Sequence, residues 1–455
     1  MIVEKNKEYK VTIIDNGYEG EGIAKIEDFT IFIKGAIKGE VCKIVITKVN
    51  KSFAFGRLLE VIEYSKKRVE PDCATYKRCG GCSMRHIKYD ETLKIKKDMV
   101  QNLVNKVLEG KIEVNNVMGM ENPYYYRNKL QYPVGTNKEG KTIMGVFANR
   151  THEIIPVEEC LIQNREAEKL AKEVFEFIKQ NNISIYNEST KTGAIRHIIV
   201  KIGIKTNELM CIIVTNEEKI EHEEELVKNI VEKFPNLKTV IKNINNKNTN
   251  VILGEKDIIL YGSGYIYDKL GEYTFKISAK SFYQTNPIQT EKLYNKAIEY
   301  AKLDKNDILC DLYCGIGTIG IFASSKVKKV YGIEIVEEAV KAAEENAKMN
   351  NINNIEFIAG DAKEAFKDLI EKRNIMPTAI IVDPPRRGLD EETINKILEL
   401  EVKKLVYISC NPATMVRDMK MLEDKYIVKE IQPVDMFPFT SHVECVALLE
   451  IKNYQ

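Results

Sequence analysis

The chain has 455 residues, 44% of them hydrophobic and 30% charged, and a net charge of +1 at neutral pH. That length suits about three domains, and no apolar run reaches the roughly 18 residues of a membrane span. The opening Met-Ile-Val-Glu-Lys-Asn puts charges where a signal peptide needs an apolar core. A cytoplasmic protein with no membrane partner is expected, and its ten cysteines read as metal ligands, catalytic thiols or core residues rather than disulfides.

Residues 1–63 alternate apolar and polar positions, with glycines at the breaks. The pattern predicts about five short strands closing into a small β-barrel of OB type, a fold that often binds oligonucleotides. No catalytic pair stands out in this stretch, so RNA affinity rather than chemistry is expected of it. Residues 64–270 read as an α+β domain. It opens on a basic, loop-like segment (64–88) and a helix over 90–109 that packs on the catalytic domain. A hairpin over 124–158, a helix over 164–180, and strands at Ile195–Ile204 and Leu209–Thr215 follow. The Asn-rich stretch Asn243–Asn250 reads as a loop. Residues 73–150 carry fourteen Lys/Arg against seven Asp/Glu, an excess that suits an anionic partner such as RNA. From about Asp307, within a third domain spanning 271–455, strands and helices alternate as in a doubly wound parallel sheet.

The first unit of that sheet runs Asp311-Leu312-Tyr313-Cys314-Gly315-Ile316-Gly317-Thr318, a buried strand entering a Gly-rich turn and a helix. Glycines there permit a tight turn and close backbone approach to a ligand. Glu334 ends the next strand, suited to ribose hydroxyls, and Asp361 the one after, suited to an adenine amino group. The following strand ends in Asp383-Pro384-Pro385. This series of strand ends resembles the Rossmann-type S-adenosylmethionine-dependent methyltransferases, and places Tyr313, Gly315, Gly317, Glu334, Asp361 and Asp383 at the donor. A dehydrogenase is disfavoured because no hydride-handling group is evident beside the turn.

Asp383-Pro-Pro-Arg-Arg-Gly388 is followed after sixteen residues by Leu405-Val-Tyr-Ile-Ser-Cys410-Asn411-Pro412-Ala-Thr414. A last strand is expected to carry Asp435-Met-Phe437-Pro-Phe-Thr-Ser-His442-Val-Glu444. Together these resemble the two signatures of the RNA uracil-C5 methyltransferases. The chemistry explains the residues independently. Uracil C5 is too weak a nucleophile to attack a methylsulfonium. A thiolate adding to C6 turns C5 into an enolate carbon that is strong enough, and thiolate later leaves well. Cys410 is the candidate nucleophile. Glu444 is the candidate base for the C5 proton, and Asp383 a partner for the uracil edge. The resemblance further implies that Gln284, in Ser281-Phe-Tyr-Gln-Thr-Asn286, contacts donor or uracil. Phe282 beside it reads as core, with stacking on a flipped base as the alternative.

Cys73-x5-Cys79-x2-Cys82 places three thiols in one short loop, and Cys160 follows a predicted strand. Four thiolates hold zinc or a [4Fe–4S] cluster, and spacing alone does not separate the two. A TRAM-type barrel with four cysteines resembles the 23S ribosomal RNA branch of the family, which implies [4Fe–4S]. The reading is therefore methylation of a flipped loop uridine in 23S ribosomal RNA, with no obligate protein partner. Transfer RNA is the rival substrate, expected to lack both barrel and cluster. A non-catalytic RNA-binding protein is the rival from another class. Cytosine-C5 methylation is disfavoured because Arg386, not a Pro-Cys pair, follows the Asp-Pro-Pro. A folate- and flavin-dependent uridine methylase would need an N-terminal dinucleotide turn. Cys42, Cys211, Cys310, Cys314 and Cys445 read as packing residues.

Overall fold

The computed structural model describes residues 2–110, 112–149 and 151–452. By internal contacts the chain divides into two compact units. One comprises 1–76, 81–121 and 383–455, the other 77–80 and 122–382.

In the first unit the N-terminal stretch forms six strands rather than five: Glu8–Thr12, Asp15–Asn16, Gly22–Ile26, Phe29–Lys34, Val41–Val49 and Phe53–Glu63. The addition is the two-residue strand Asp15–Asn16, too short to show a period-two pattern. The strands lie in the spatial order first, fifth, sixth, fourth, third, second. Alternation sends Ile31, Ile33, Ile44 and Ile46 wholly inside, and at about 25 cal/mol per Å² these aliphatic side chains dominate the barrel's stability. The opposite face carries Phe32, Phe53 and Phe55, with ring centroids 5.5–6.0 Å apart.

Helix Tyr89–Val107 buries Thr92, Ile95, Lys96, Met99, Val100 and Val104, a stripe at three- and four-residue spacing. It packs on helix Pro412–Leu422. Strands Lys404–Ser409, Glu444–Ile451 and Tyr426–Val434 lie side by side in that order, antiparallel throughout. The Asp435-to-Val443 signature is thus the loop entering the last strand, not part of the strand. Pro438 within it carries no N–H for a ladder, which is why the strand starts only at Glu444.

The second unit holds a seven-stranded sheet. Its hairpin is Lys129–Thr136 with Thr142–Phe147, and Ile195–Ile202, Leu209–Thr215 and Leu237–Ile244 follow. Helices Arg165–Gln180 and Glu223–Lys233 cover it. Asn243, expected in a loop, is a buried member of strand Leu237–Ile244. Its amide reaches the Gly254 carbonyl at 3.0 Å and the Asp257 carboxylate at 2.6 Å, which satisfies a turn-forming side chain inside a sheet. Beyond hairpin Tyr265–Leu270/Tyr273–Ser278, parallel strands lie in the order Ile355–Ala359, Lys329–Glu334, Ile308–Leu312, Ala379–Val382. Their carboxyl ends carry the Gly-rich turn, Glu334 and Asp361. Cys42, Cys211, Cys310, Cys314 and Cys445 are buried, as expected.

Candidate active site

Strand Lys404–Ser409 is apolar until Ser409, where Asn411 and Pro412 end it and begin a helix. Pro412 has the fixed φ of a first helical residue, and the Asn411 side chain accepts from the Ala413 N–H at 3.2 Å. Cys410 sits at this junction. Ser409 pairs with Cys445 in the antiparallel ladder. The ladder ends at that pair; Cys410 follows it on one strand and Glu444 precedes it on the other, and the thiol lies within the field of the Glu444 carboxylate.

The Glu444 side chain is only 5% exposed. Burial, then the charge of Asp383, pushes its carboxyl up to about 8. Burial pushes Asp383 up to about 7. Both acids thus exchange protons near neutrality, as proton-transfer groups must. The Cys410 thiol is also raised, by burial first and then by Glu444 and Asp383, with Arg386 opposing. The resting thiol is protonated, so attack requires a nearby base.

The loop after Asp383 is clamped. Asn411 and Thr414 donate to the Arg386 carbonyl at 2.9 and 3.2 Å. Asp418 accepts from the Leu389 N–H at 2.8 Å and from the Tyr407 hydroxyl at 2.6 Å. Gly388, at φ +81°, has no room for a Cβ, which would stand 2.4 Å from the Asp418 carboxylate.

The loop before Glu444 rests on a group that sequence reading missed. Lys96 and Asp435 form an ion pair, both 0% exposed. Lys96 also donates to the Phe437 carbonyl at 3.1 Å, and the Tyr89 hydroxyl reaches Asp435 at 2.7 Å. The available signal was a lysine on the buried stripe of helix Tyr89–Val107. Lys96→Met should strand a buried carboxylate and cost about 3–5 kcal/mol. Adding Asp435→Leu should recover most of the loss in thermal melting, since the uncompensated charge goes with it.

The second unit holds the donor candidates other than Asp383. Tyr313, Gly315 and Gly317 all have positive φ, at 67°, 55° and 80°. The Gly315 N–H donates to Glu334 at 3.0 Å, and the other Glu334 oxygen accepts from Val336 at 3.0 Å. A Cβ on Gly315 would point into open space, whereas one on Gly317 would strike Phe357 at 2.6 Å. The first glycine leaves a ligand-sized approach and the second allows tight helix packing. Asp361 follows the neighbouring strand and caps helix Ala362–Glu371 through the Lys363 N–H. Gln284 lies in a loop held by Lys201, which donates to the carbonyls of Ser278 and Ser281 at 2.8 and 3.0 Å. Burial pushes that lysine down to about 7. Asn128 donates to the Gln284 carbonyl at 2.9 Å. Phe282 is 73% exposed, which overturns the core reading and leaves its ring open for stacking.

Each of the four candidate cysteines, Cys73, Cys79, Cys82 and Cys160, is half-buried and none forms a disulfide. Cys79 raises the thiol of Cys160, so those two lie within electrostatic reach. Among the described residues no three Cys, His, Asp or Glu side chains converge on a single ion position. No helix among them is long and apolar enough to cross a membrane.

The tRNA (uracil-5-)-methyltransferase model matches residues 88–452, and the TRAM domain model matches 3–59. The chain belongs to the RNA uracil-5-methyltransferase family. Its members use S-adenosylmethionine, and the open Gly315 turn with Glu334 at the adjoining strand end suits that donor. The chain is 47% identical to an RNA methyltransferase of Clostridium acetobutylicum, over 98% of each chain. It is 45% identical to one of Staphylococcus aureus, over 99% of each. A similar solved structure is the Pyrococcus abyssi tRNA (uracil-54, C5)-methyltransferase in complex with S-adenosyl-L-homocysteine. Identity is 26% and the TM-score 0.77, covering 97% of this chain and 99% of that one. The uncovered 3% is too short to hold the barrel, so a TRAM-type barrel does not by itself mark an uracil methyltransferase as one for ribosomal RNA.

Proposed function

We propose that this protein methylates C5 of a uridine in 23S ribosomal RNA through a transient bond between Cys410 and C6. The observation that carries the reading is the convergence of Cys410 with buried Glu444 and half-buried Asp383, both carboxylates lying within electrostatic reach of the thiol. The Cys410 proton passes to Asp383 as sulfur bonds to C6, the C5–C6 electron pair moves toward O4 and C5 becomes nucleophilic, while Glu444 is kept for the later step. Bound S-adenosylmethionine would supply the methyl group to C5 and leave as the neutral thioether S-adenosylhomocysteine. Glu444 then takes the C5 proton, the C5–C6 double bond re-forms, and the Cys410 sulfur leaves. Asp383, then carrying that proton, donates to a uracil carbonyl. Tyr313, Gly315, Gly317, Glu334, Asp361 and Gln284 hold the donor and the base.

The three-part division at 63 and 270 is proposed as a functional one: RNA capture, RNA positioning, chemistry. In support of capture, Phe32 pairs with Phe55 and Lys34 with Arg57 in parallel register. Aromatic and cationic side chains thus share one barrel face, the pairing that stacks bases and holds phosphates.

The four thiols Cys73, Cys79, Cys82 and Cys160 are proposed to bind [4Fe–4S]. Their number, spacing and half-burial support this, and no catalytic step passes through the cluster. Residues just after Cys82 grip the loop before Glu444: Ser83 and Met84 donate to the Phe439 carbonyl at 3.0 Å, and Arg85 lies 4.3 Å over the Phe439 ring. A cluster would brace that grip. Anaerobically purified protein should be brown and carry about four irons per chain. A colourless protein with one zinc would overturn the assignment, and each of the four Cys→Ser variants should lose iron.

Transfer RNA is the second reading, favoured by the full-length likeness to the Pyrococcus abyssi enzyme. Mapping 5-methyluridine in both RNAs, from cells with and without the gene, separates the two. Loss from 23S ribosomal RNA alone is the expected result, and loss from transfer RNA alone would overturn the ribosomal assignment.

A further inference from the structure

The turn Asn16-Gly17-Tyr18-Glu19-Gly20-Glu21 joins two strands of the barrel, and carries an aromatic residue between two glycines where polar side chains are usual. It is closed on itself: the Gly17 N–H donates to the Glu21 carbonyl at 2.7 Å and Gly20 to Gly17 at 2.9 Å. The Asn16 amide bonds the Ala36 carbonyl and the Lys38 N–H. Gly20, at φ +81°, leaves a Cβ only 3.0 Å from Met84 and 3.7 Å from Ser441. The turn therefore sits against the loop that leads to Glu444, within the same unit. Its tip is fixed rather than waving.

Tyr18 donates its hydroxyl to Asn411 at 3.2 Å. Asn411 follows Cys410 in the chain. The same amide caps the helix after Cys410 and donates to the Arg386 carbonyl. One side chain thus ties the barrel turn, the loop after Asp383 and the helix start to the nucleophile. The Tyr18 hydroxyl is sheltered and lies in the field of Cys410, Cys445 and Arg386, yet the residue is 47% exposed. A phenol anchored at its tip, with its ring open beside a nucleophile, is a preformed surface for a planar base.

We infer that Tyr18 is a substrate-positioning residue supplied by the barrel, its ring stacking on the pyrimidine nucleotide flipped toward Cys410 and its hydroxyl holding Asn411 in register. The barrel then does more than capture RNA: it completes the wall of the uracil site. This rests on Cys410 as the nucleophile, and the test separates the two.

The full-length protein, Tyr18→Phe and Tyr18→Ala are compared on transcripts of 23S ribosomal RNA and of transfer RNA containing 5-fluorouridine. Two readouts are taken: the equilibrium Kd by filter retention without donor, and the single-turnover rate of covalent complex formation with donor. Tyr18→Ala should weaken binding to the RNA that the native protein prefers by about fivefold or more, the loss of one base stack, and slow adduct formation further. Tyr18→Phe keeps the ring, so its Kd should stay within about twofold while adduct formation slows several-fold. Thermal melting should be unchanged in both, since the turn lies outside the barrel core. A Tyr18→Ala protein with native Kd and native adduct rate would overturn the inference. So would equal losses in the two variants, which would leave the ring without a role. Should the native protein form no adduct at all, the nucleophile assignment falls, and the Kd comparison still decides whether Tyr18 stacks.

Discussion

Replacing Cys410 with alanine should abolish the covalent complex with 5-fluorouridine RNA and reduce methylation by at least about a thousandfold. Fluorine at C5 cannot leave as a proton, so the native protein should be trapped after methyl transfer as a species stable in denaturing gels. RNA affinity should change little, because the alanine removes one sulfur from a site held by the barrel and by the Asp383 loop. The adduct should form faster as pH rises through about 7, where Asp383 loses its proton and becomes able to accept that of the thiol. An active preparation that makes no adduct would sink the nucleophile assignment.

Glu444→Gln should fail later in the sequence. Methyl transfer precedes removal of the C5 proton, so the variant should complete a first methylation and stall as a covalent complex with natural uridine RNA. Multiple turnover should fall by about 10²–10⁴, the usual worth of a positioned base. Native-rate turnover would move the role to Asp383. The same substitution has a stability signature. The folded-state carboxyl is held near 8, against about 4.3 in an unfolded chain. The stabilisation gained from its proton is complete below pH about 4 and is lost as pH rises through 8. Glutamine carries no such dependence. Glu444→Gln should therefore melt with the native protein at pH 4 and several degrees above it at pH 8–9. Equal melting at both pH values would mean that the carboxyl is not buried as the structure has it.

The difference between these variants follows from where each residue lies along one ladder. Cys410 follows the end of one strand and Glu444 begins the strand paired with it. The sequence separation of 34 residues between them is bridged by helix Pro412–Leu422, strand Tyr426–Val434 and the loop braced by Lys96. The loop so placed rests on a buried ion pair, which explains why a lysine stands on the buried stripe of helix Tyr89–Val107.

Much of the molecule was legible from its residues. Period-two alternation gave away the barrel strands, and three-to-four spacing the helices at 89 and 165, because burial of one face is a local constraint that a short window records. Cys410, Glu444 and the Gly315–Gly317 turn could be proposed from the sequence because the chemistry in question asks for particular residue types at strand ends. What eluded the sequence was long-range. Asn243 sits in a strand because partners from Gly254 and Asp257 satisfy it. Phe282 is exposed although buried Lys201 and Asn128 tie the backbone of its loop to the core. Tyr18 reaches Asn411 across 393 residues of chain, a contact no local pattern encodes. The residue types and their spacing determined the family, since the matched region holds the strand-end motifs that carry the resemblance. Tertiary structure alone decided which side chains surround the thiol, because hydrogen bonds and buried charges are settled by neighbours in space rather than in sequence.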